Sequence, residues 1–172
     1  SKYTRRNEAE FRNIATYIYE IVSAKKGNYM VFFPSHAFLS KIYEVFMELY
    51  YTEERMQCVV QEEYMTETDR EAFLQLFTEG KTSDKILLGF CVLGGIFSEG
   101  IDLKGERLIG ALIVGNGMPQ VGPERDILRT HFDETEQKGF DYAYTYPGMN
   151  KVLQAAGRVI RTEQDVGGIA LL

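Results

Sequence analysis

The chain has 172 residues, 45% hydrophobic and 26% charged, enough for one well-packed α/β-sized domain; two domains would each be left with a thin core. Its formal net charge of -6 excludes a uniformly basic coat for nucleic acid, so any contact with DNA has to be local. No apolar run approaches the roughly 20 residues of a membrane-crossing helix, and Ser1 to Arg6 lack the apolar core of a secretory signal, so the expectation is a cytoplasmic protein without membrane attachment.

Asn7 and Glu10 are spaced as a capping box, and Phe11, Ile14, Ala15, Ile18, Ile21 and Val22 recur at helical spacing up to Gly27, which predicts a leading helix within residues 1–27. Tyr29 to Phe33 reads as a strand cut by Pro34. Ser35 stands as the N-cap of a second helix carrying Phe38, Leu39, Ile42, Val45, Phe46 and Leu49. Cys58 to Val60 suggests another strand, and Thr68 to Glu71 a second capping box, ahead of a helix with Ala72, Phe73, Leu76 and Phe77 that stops at Gly80. Ile86 to Val92 and Leu108 to Val114 are nearly continuous apolar runs, as central parallel strands covered on both faces should be. Pro123 marks a helix start, and Asp141 to Pro147 is a polar, tyrosine-rich stretch. A helix from about Met149 to Arg161 and a closing strand at Gly168 to Leu172 complete an alternation that predicts a wound, mostly parallel α/β sheet with helices on both faces. In such sheets ligands gather beyond the carboxyl ends of the strands, after Phe33, Val92 and Val114.

Cys58 and Cys91 sit far apart in apolar runs, as small buried hydrophobes do in a reducing compartment. With only His36 and His131 besides, and no paired metal-ligand spacing, no metal site is expected in the chain.

The most informative segment is Gln154-Ala-Ala-Gly157-Arg158-Val-Ile-Arg161. On a continuous helix, positions 154, 157, 158 and 161 share one face. One amide, two guanidinium groups and a glycine that admits a close surface suit a polyphosphate presented by a neighbour. The bland alternative is an exposed helix whose arginines pair with Glu163 and Asp165.

This segment resembles motif VI of superfamily 2 helicases in the form typical of the XPD and DinG branch. Gly94-Gly95-Ile-Phe-Ser98-Glu99-Gly100-Ile101-Asp102 is similar to that branch's motif V, and Tyr29 to Ser35 to its motif IV. The order is right, and the resemblance spans nearly the whole chain. It implies a RecA-like (P-loop NTPase-like) C-terminal lobe over residues 1–172, with 116–148 as an insertion between motifs V and VI. The absent initiator methionine and the strand-like last residues carry the same expectation, of a fragment of a larger chain.

By position, the resemblance implies that Arg161 and Arg158 approach the γ-phosphate of ATP, Arg161 as the finger, while Gln154 positions phosphate or water. Gly157, Glu99, Gly100 and Asp102 would border the nucleotide. Ser35, His36, Gly95 and Ser98 would meet the backbone of single-stranded DNA, Ser35 and His36 through helix-terminal N–H groups. For Ser98 the plain alternative is a turn that caps a short helix, and for Ser35 an N-cap and nothing more. ATP and Mg²⁺ would be bound mainly by an N-terminal partner lobe of the same protein, which is also where any iron–sulfur cluster would lie. The implied direction of travel is 5′ to 3′.

Gly80-Lys-Thr-Ser83 resembles the end of a Walker A loop, but Gln75 stands where the first glycine is required, and a helix precedes it where a strand should. Tyr142, Tyr144 and Tyr146 could stack bases, with Lys138 and Lys151 nearby for phosphates, or form an edge strand. Three readings therefore stand: a second motor lobe; a non-catalytic nucleic-acid or protein-binding module on the same fold; and a self-sufficient nucleotide enzyme using Gly80 to Thr82. Both motif VI arginines favour the first.

Overall fold

A computed structural model describes residues 8–79, 84–97, 108–115, 123–136, 138, 140–157, 159 and 167–172. The elements are α1 (Glu8–Ala24), β1 (Asn28–Phe33), α2 (His36–Leu49), β2 (Met56–Val60), α3 (Glu67–Glu79), β3 (Ile86–Val92), β4 (Gly110–Ile113), α4 (Pro123–Glu136), a π-helical turn (Asp141–Thr145), α5 (Tyr146–Ala156) and β5 (Gly168–Leu171).

The five strands form one sheet in the order β2-β3-β1-β4-β5, every pair parallel. β1 lies at the centre with all six residues buried, because its aromatic and β-branched side chains meet a helical layer on either face. Successive side chains alternate between two cores. Tyr29, Val31, Phe33, Leu88, Phe90 and Leu112 pack against Ala15, Ile18 and Val22 of α1 and Phe38, Leu39, Ile42 and Phe46 of α2. On the opposite face, Met30, Phe32, Leu87, Cys91, Ala111 and Ile113 pack against Phe73 and Phe77 of α3 and Val152 and Ala155 of α5. This is the wound parallel α/β sheet that the alternation predicts. Among the described residues no helix is long and apolar enough to cross a membrane.

Several local expectations change. The α3 cap sits two residues earlier than Thr68. The Thr66 N–H and hydroxyl donate to Asp69 Oδ2 at 2.9 and 2.6 Å, and the Asp69 N–H returns a bond to Thr66 Oγ1 at 3.2 Å, so the helix opens at Glu67. The cap expected from Asn7 lies outside the described residues, as does the stop at Gly80; α1 ends at Ala24, short of Gly27. The tyrosine-rich stretch is helical, not an edge strand: Asp141 to Thr145 form a π-turn that runs into α5, with Pro147 just past the junction. That helical run begins inside the expected 116–148 insertion. At its other end α5 stops at Ala156, not Arg161: Gly157 is its C-cap, its N–H donating to the Leu153 carbonyl at 2.9 Å.

Candidate functional site

At the carboxyl edge of the sheet, β1 and β3 end side by side, with Phe33 opposite Val92 and the Leu93 N–H donating to the Phe33 carbonyl at 2.8 Å. Past β1, Pro34 breaks the strand and Ser35 takes an extended conformation (φ -161°, ψ 159°) that turns the chain into α2. Its hydroxyl accepts from the Phe38 N–H at 3.3 Å and its carbonyl from the Leu39 N–H at 2.9 Å. The plain N-cap role of Ser35 is therefore present, and it puts Ser35 and His36, both half-buried, at the positive end of the α2 dipole.

Past β3, Leu93 to Phe97 form a tight turn. Gly94 has φ +70°, a conformation side chains rarely adopt, and the Gly95 N–H donates to the Val92 carbonyl at 3.1 Å. Phe97 anchors the far end of the turn: it is fully buried and stacks on Phe73 with ring centroids 4.2 Å apart. Beneath the turn lies Gln61, 5% exposed, the first residue after β2. Its N–H donates to the Phe90 carbonyl at 2.8 Å and its Oε1 accepts from the Val92 N–H at 2.9 Å, so the side-chain amide extends the β2–β3 ladder beyond the end of the strand. A Cβ on Gly95 would lie 2.8 Å from Gln61 Nε2. Gln61 thus seats the motif V turn, a role that sequence reasoning missed; the one available signal was a lone amide at the carboxyl end of an apolar run.

α5 flanks this turn. Val152 and Ala155 are buried against the sheet together with Val159, whose N–H donates to the Ala156 carbonyl at 3.1 Å, while Gln154 is exposed. The side chain of Lys151 lies over Gly94. Tyr144 is not a stacking platform. It is 4% exposed and its hydroxyl donates to Asp126 Oδ1 at 3.2 Å, while Arg125 Nη1 donates to the Ala143 carbonyl at 3.3 Å, tying α4 to the π-turn. Tyr146 is exposed, as is Lys138.

The described residues therefore bring together Ser35, His36, Gly94, Gly95 and Gln61 at one edge, with Lys151 reaching that edge from α5. Gln154 follows Lys151 by three residues, about 4.5 Å of helical rise. Arg158, Arg161, Ser98, Glu99, Gly100 and Asp102 lie outside the described residues. So does Gly80 to Ser83, although α3 before it and β3 after it reproduce the helix-then-strand order that a Walker A loop does not have.

Neither cysteine resembles a metal-binding thiolate. Burial pushes the Cys58 thiol up to about 12 and raises that of Cys91 as well, so both stay protonated near neutral pH. Among the described residues no group of three His, Cys, Asp or Glu is placed to hold a metal ion.

Residues 18–172 match the family model of the helicase C-terminal domain. Over its whole length the chain is 25% identical to the ATP-dependent DNA helicase XPD of Sulfolobus acidocaldarius, of which it spans 29%. Over 84% of its length it is 29% identical to a regulator of telomere elongation helicase 1 homolog of Culex quinquefasciatus, of which it spans 16%. Its fold superposes on an apo XPD structure with a TM-score of 0.75 over 99% of this chain and 33% of that one, at 22% identity. A second XPD helicase structure gives 0.71 over 100% and 29%, at 24% identity. With a parallel RecA-like sheet and these matches along its length, the chain belongs to the helicase C-terminal domain family, in the XPD- and DinG-like branch of superfamily 2.

Proposed function

We propose that this chain is the second motor lobe of an ATP-dependent DNA helicase that translocates on single-stranded DNA and unwinds duplex. One observation carries the reading: the motif IV and motif V turns lie side by side at the carboxyl edge of the sheet, and the helix leading into motif VI packs against the second of them. DNA and nucleotide would thus act on adjoining parts of one rigid lobe.

In this reading the N-terminal lobe of the same protein holds ATP and Mg²⁺, and an iron–sulfur cluster, where there is one, resides there. ATP supplies the free energy of the cycle. Gln154, exposed near the end of α5, faces the nucleotide with Gly157, while Arg158 and Arg161 neutralise charge developing on the transferred phosphoryl group, Arg161 as the finger. Glu99, Gly100 and Asp102 border the ribose and phosphates. Ser35, His36, Gly95 and Ser98 bind the DNA backbone, the α2 terminus contributing N–H groups and dipole. Because the fingers and the phosphate cradle lie on different lobes, hydrolysis depends on lobe closure, and that dependence converts turnover into stepping.

Arg161→Ala in the full-length protein tests the reading. ATPase activity should fall by on the order of a thousand-fold or more while affinity for single-stranded DNA is largely kept. The isolated chain should show negligible ATPase activity and weak, salt-sensitive DNA binding. An unchanged rate in the variant removes Arg161 from catalysis, and robust turnover by the isolated chain overturns the two-lobe reading. A full-length protein that binds DNA without hydrolysing ATP would instead be a non-catalytic module.

A further inference from the structure

We propose that Lys151 is a positioning residue: its aliphatic stem is the strut that links the Gly94–Gly95 turn to the helix carrying Gln154, so that the DNA-facing turn and the nucleotide-facing helix move together. The inference rests on the motor-lobe reading above and extends it to a residue outside all three motifs.

The contact is close. A Cβ built on Gly94 would lie 3.0 Å from Lys151 Cε and 3.3 Å from both Cδ and Nζ. Gly94 is constrained by its φ of +70°, and the lysine stem lies against the position where a side chain would start. Lys151 is half-buried, whereas a lysine serving only solubility stays in water, and among the described residues no carboxylate forms an ion pair with it. What holds it is packing. Its neighbour Val152 is buried in the same cluster as Leu93 and Phe97, the two apolar anchors of the turn. The turn is thus gripped from two sides: Gln61 of the β2 end fills the space at Gly95, and Lys151 of α5 fills the space at Gly94. Gln61 directly follows β2 and is bonded to β3 of the sheet. Lys151 belongs to the helix capped by Gly157, so a displacement of that end on nucleotide contact reaches Gly94 through its side chain, beside the packing of Val152 on the anchors of the turn. Packed contacts of this kind exchange between discrete arrangements, as a coupling element requires.

The experiment is steady-state ATPase activity of the full-length protein with and without single-stranded DNA. In Lys151→Ala, basal kcat, KM for ATP and Kd for DNA should stay within about two-fold of wild type, while stimulation by DNA falls about five-fold or more, the lower end of ordinary site–site coupling. Lys151→Met keeps the stem without the charge and should retain stimulation within about two-fold. A purely structural defect would lower the melting temperature and the basal rate together and would not separate stimulation from KM. Should Lys151→Ala fail to fold, Lys151→Ser stops short of the Cδ and Cε contacts and carries the same expectation. Full stimulation in Lys151→Ala overturns the proposal, as does a Lys151→Met variant as uncoupled as the alanine, since the ammonium rather than the stem would then be acting. A wild-type protein with no DNA-stimulated ATPase removes the motor reading and this inference together; a stimulated wild type with an equally stimulated Lys151→Ala removes this inference alone.

Discussion

Gln61 and Gly95 should behave as one energetic unit, and a double-mutant cycle measures it. Gln61→Ala removes the acceptor at 2.9 Å from the Val92 N–H. A neutral hydrogen bond contributes about 1 kcal/mol net, and a dry, unpaired N–H costs up to about 3 kcal/mol. Gln61 also lines a cleft of about 360 Å³ with Glu62, Glu63, Tyr64, Met65, Thr66 and Ile96, so water can reach the vacated position. That sets the expected loss at about 1–2 kcal/mol, or a melting temperature lower by about 2–8 °C for a domain of this size. Gly95→Ala drives a methyl to 2.8 Å from Gln61 Nε2 and 3.1 Å from the Val92 carbonyl, overpacking that should cost about 1–3 kcal/mol. In the double variant the amide is gone and only the carbonyl contact persists. The combined loss, read from urea unfolding of each protein, should therefore fall short of the sum by about 1 kcal/mol or more. Additivity within about 0.5 kcal/mol would refute the claim that Gln61 seats the motif V turn.

Phe97→Ala should be the most disruptive single change in that turn, costing about 3–5 kcal/mol because a fully buried ring stacked on Phe73 is removed; a loss under about 1 kcal/mol in the same unfolding assay would show that the turn is not anchored there. The cysteines give a pH prediction. Burial lifts the folded Cys58 thiol from 9.0 to about 12, so the folded state holds its proton more tightly than the unfolded chain. The associated stability is fully present below pH 9 and is lost as pH rises from 9 toward 12. Cys58→Ala should flatten that alkaline limb relative to wild type in pH-dependent melting, and at pH 8 both thiols should react with a thiol reagent only after denaturant is added.

The sheet and its helical layers were legible because two periods separate cleanly in this chain. α1 and α2 carry apolar residues at helical spacing, and β1 after Asn28 and β3 are apolar runs because both of their faces are covered. Ser35 was legible as an N-cap because capping is local, three residues from donor to acceptor. Gln61 was not, because its partner Val92 is 31 residues away and nothing in the spacing announces it. The Asp141–Pro147 stretch misled because alternate tyrosines fit a strand pattern, whereas burial of Ala143 and Tyr144 between α4 and α5 selects a helix. In the motif VI segment the spacing of the polar residues suggests a helix running to Arg161, whereas α5 ends at Ala156 with Gly157 as its C-cap. The approach of Lys151 to Gly94 was not legible, because 57 residues of chain separate the two.

Gly157 offers a separation of stability from function. Its φ of -64° and ψ of -3° are open to any residue, so backbone strain does not require glycine there. Among the described residues, a Cβ at this position would meet only the Leu153 carbonyl at 3.2 Å and the Gln154 carbonyl at 3.6 Å, both in the preceding turn of its own helix. Gly157→Ala should consequently fold with a stability within about 1 kcal/mol of wild type, the restricted unfolded chain offsetting the tight carbonyl contact. If the glycine admits a phosphate or the facing lobe, the same methyl should reduce ATPase activity of the full-length protein about ten-fold or more, a loss of transition-state contact of roughly 1.4 kcal/mol. Normal folding with impaired turnover supports close approach at Gly157. Normal folding with normal turnover means that nothing comes near it, and the polyphosphate-facing surface must then be sought elsewhere along the lobe.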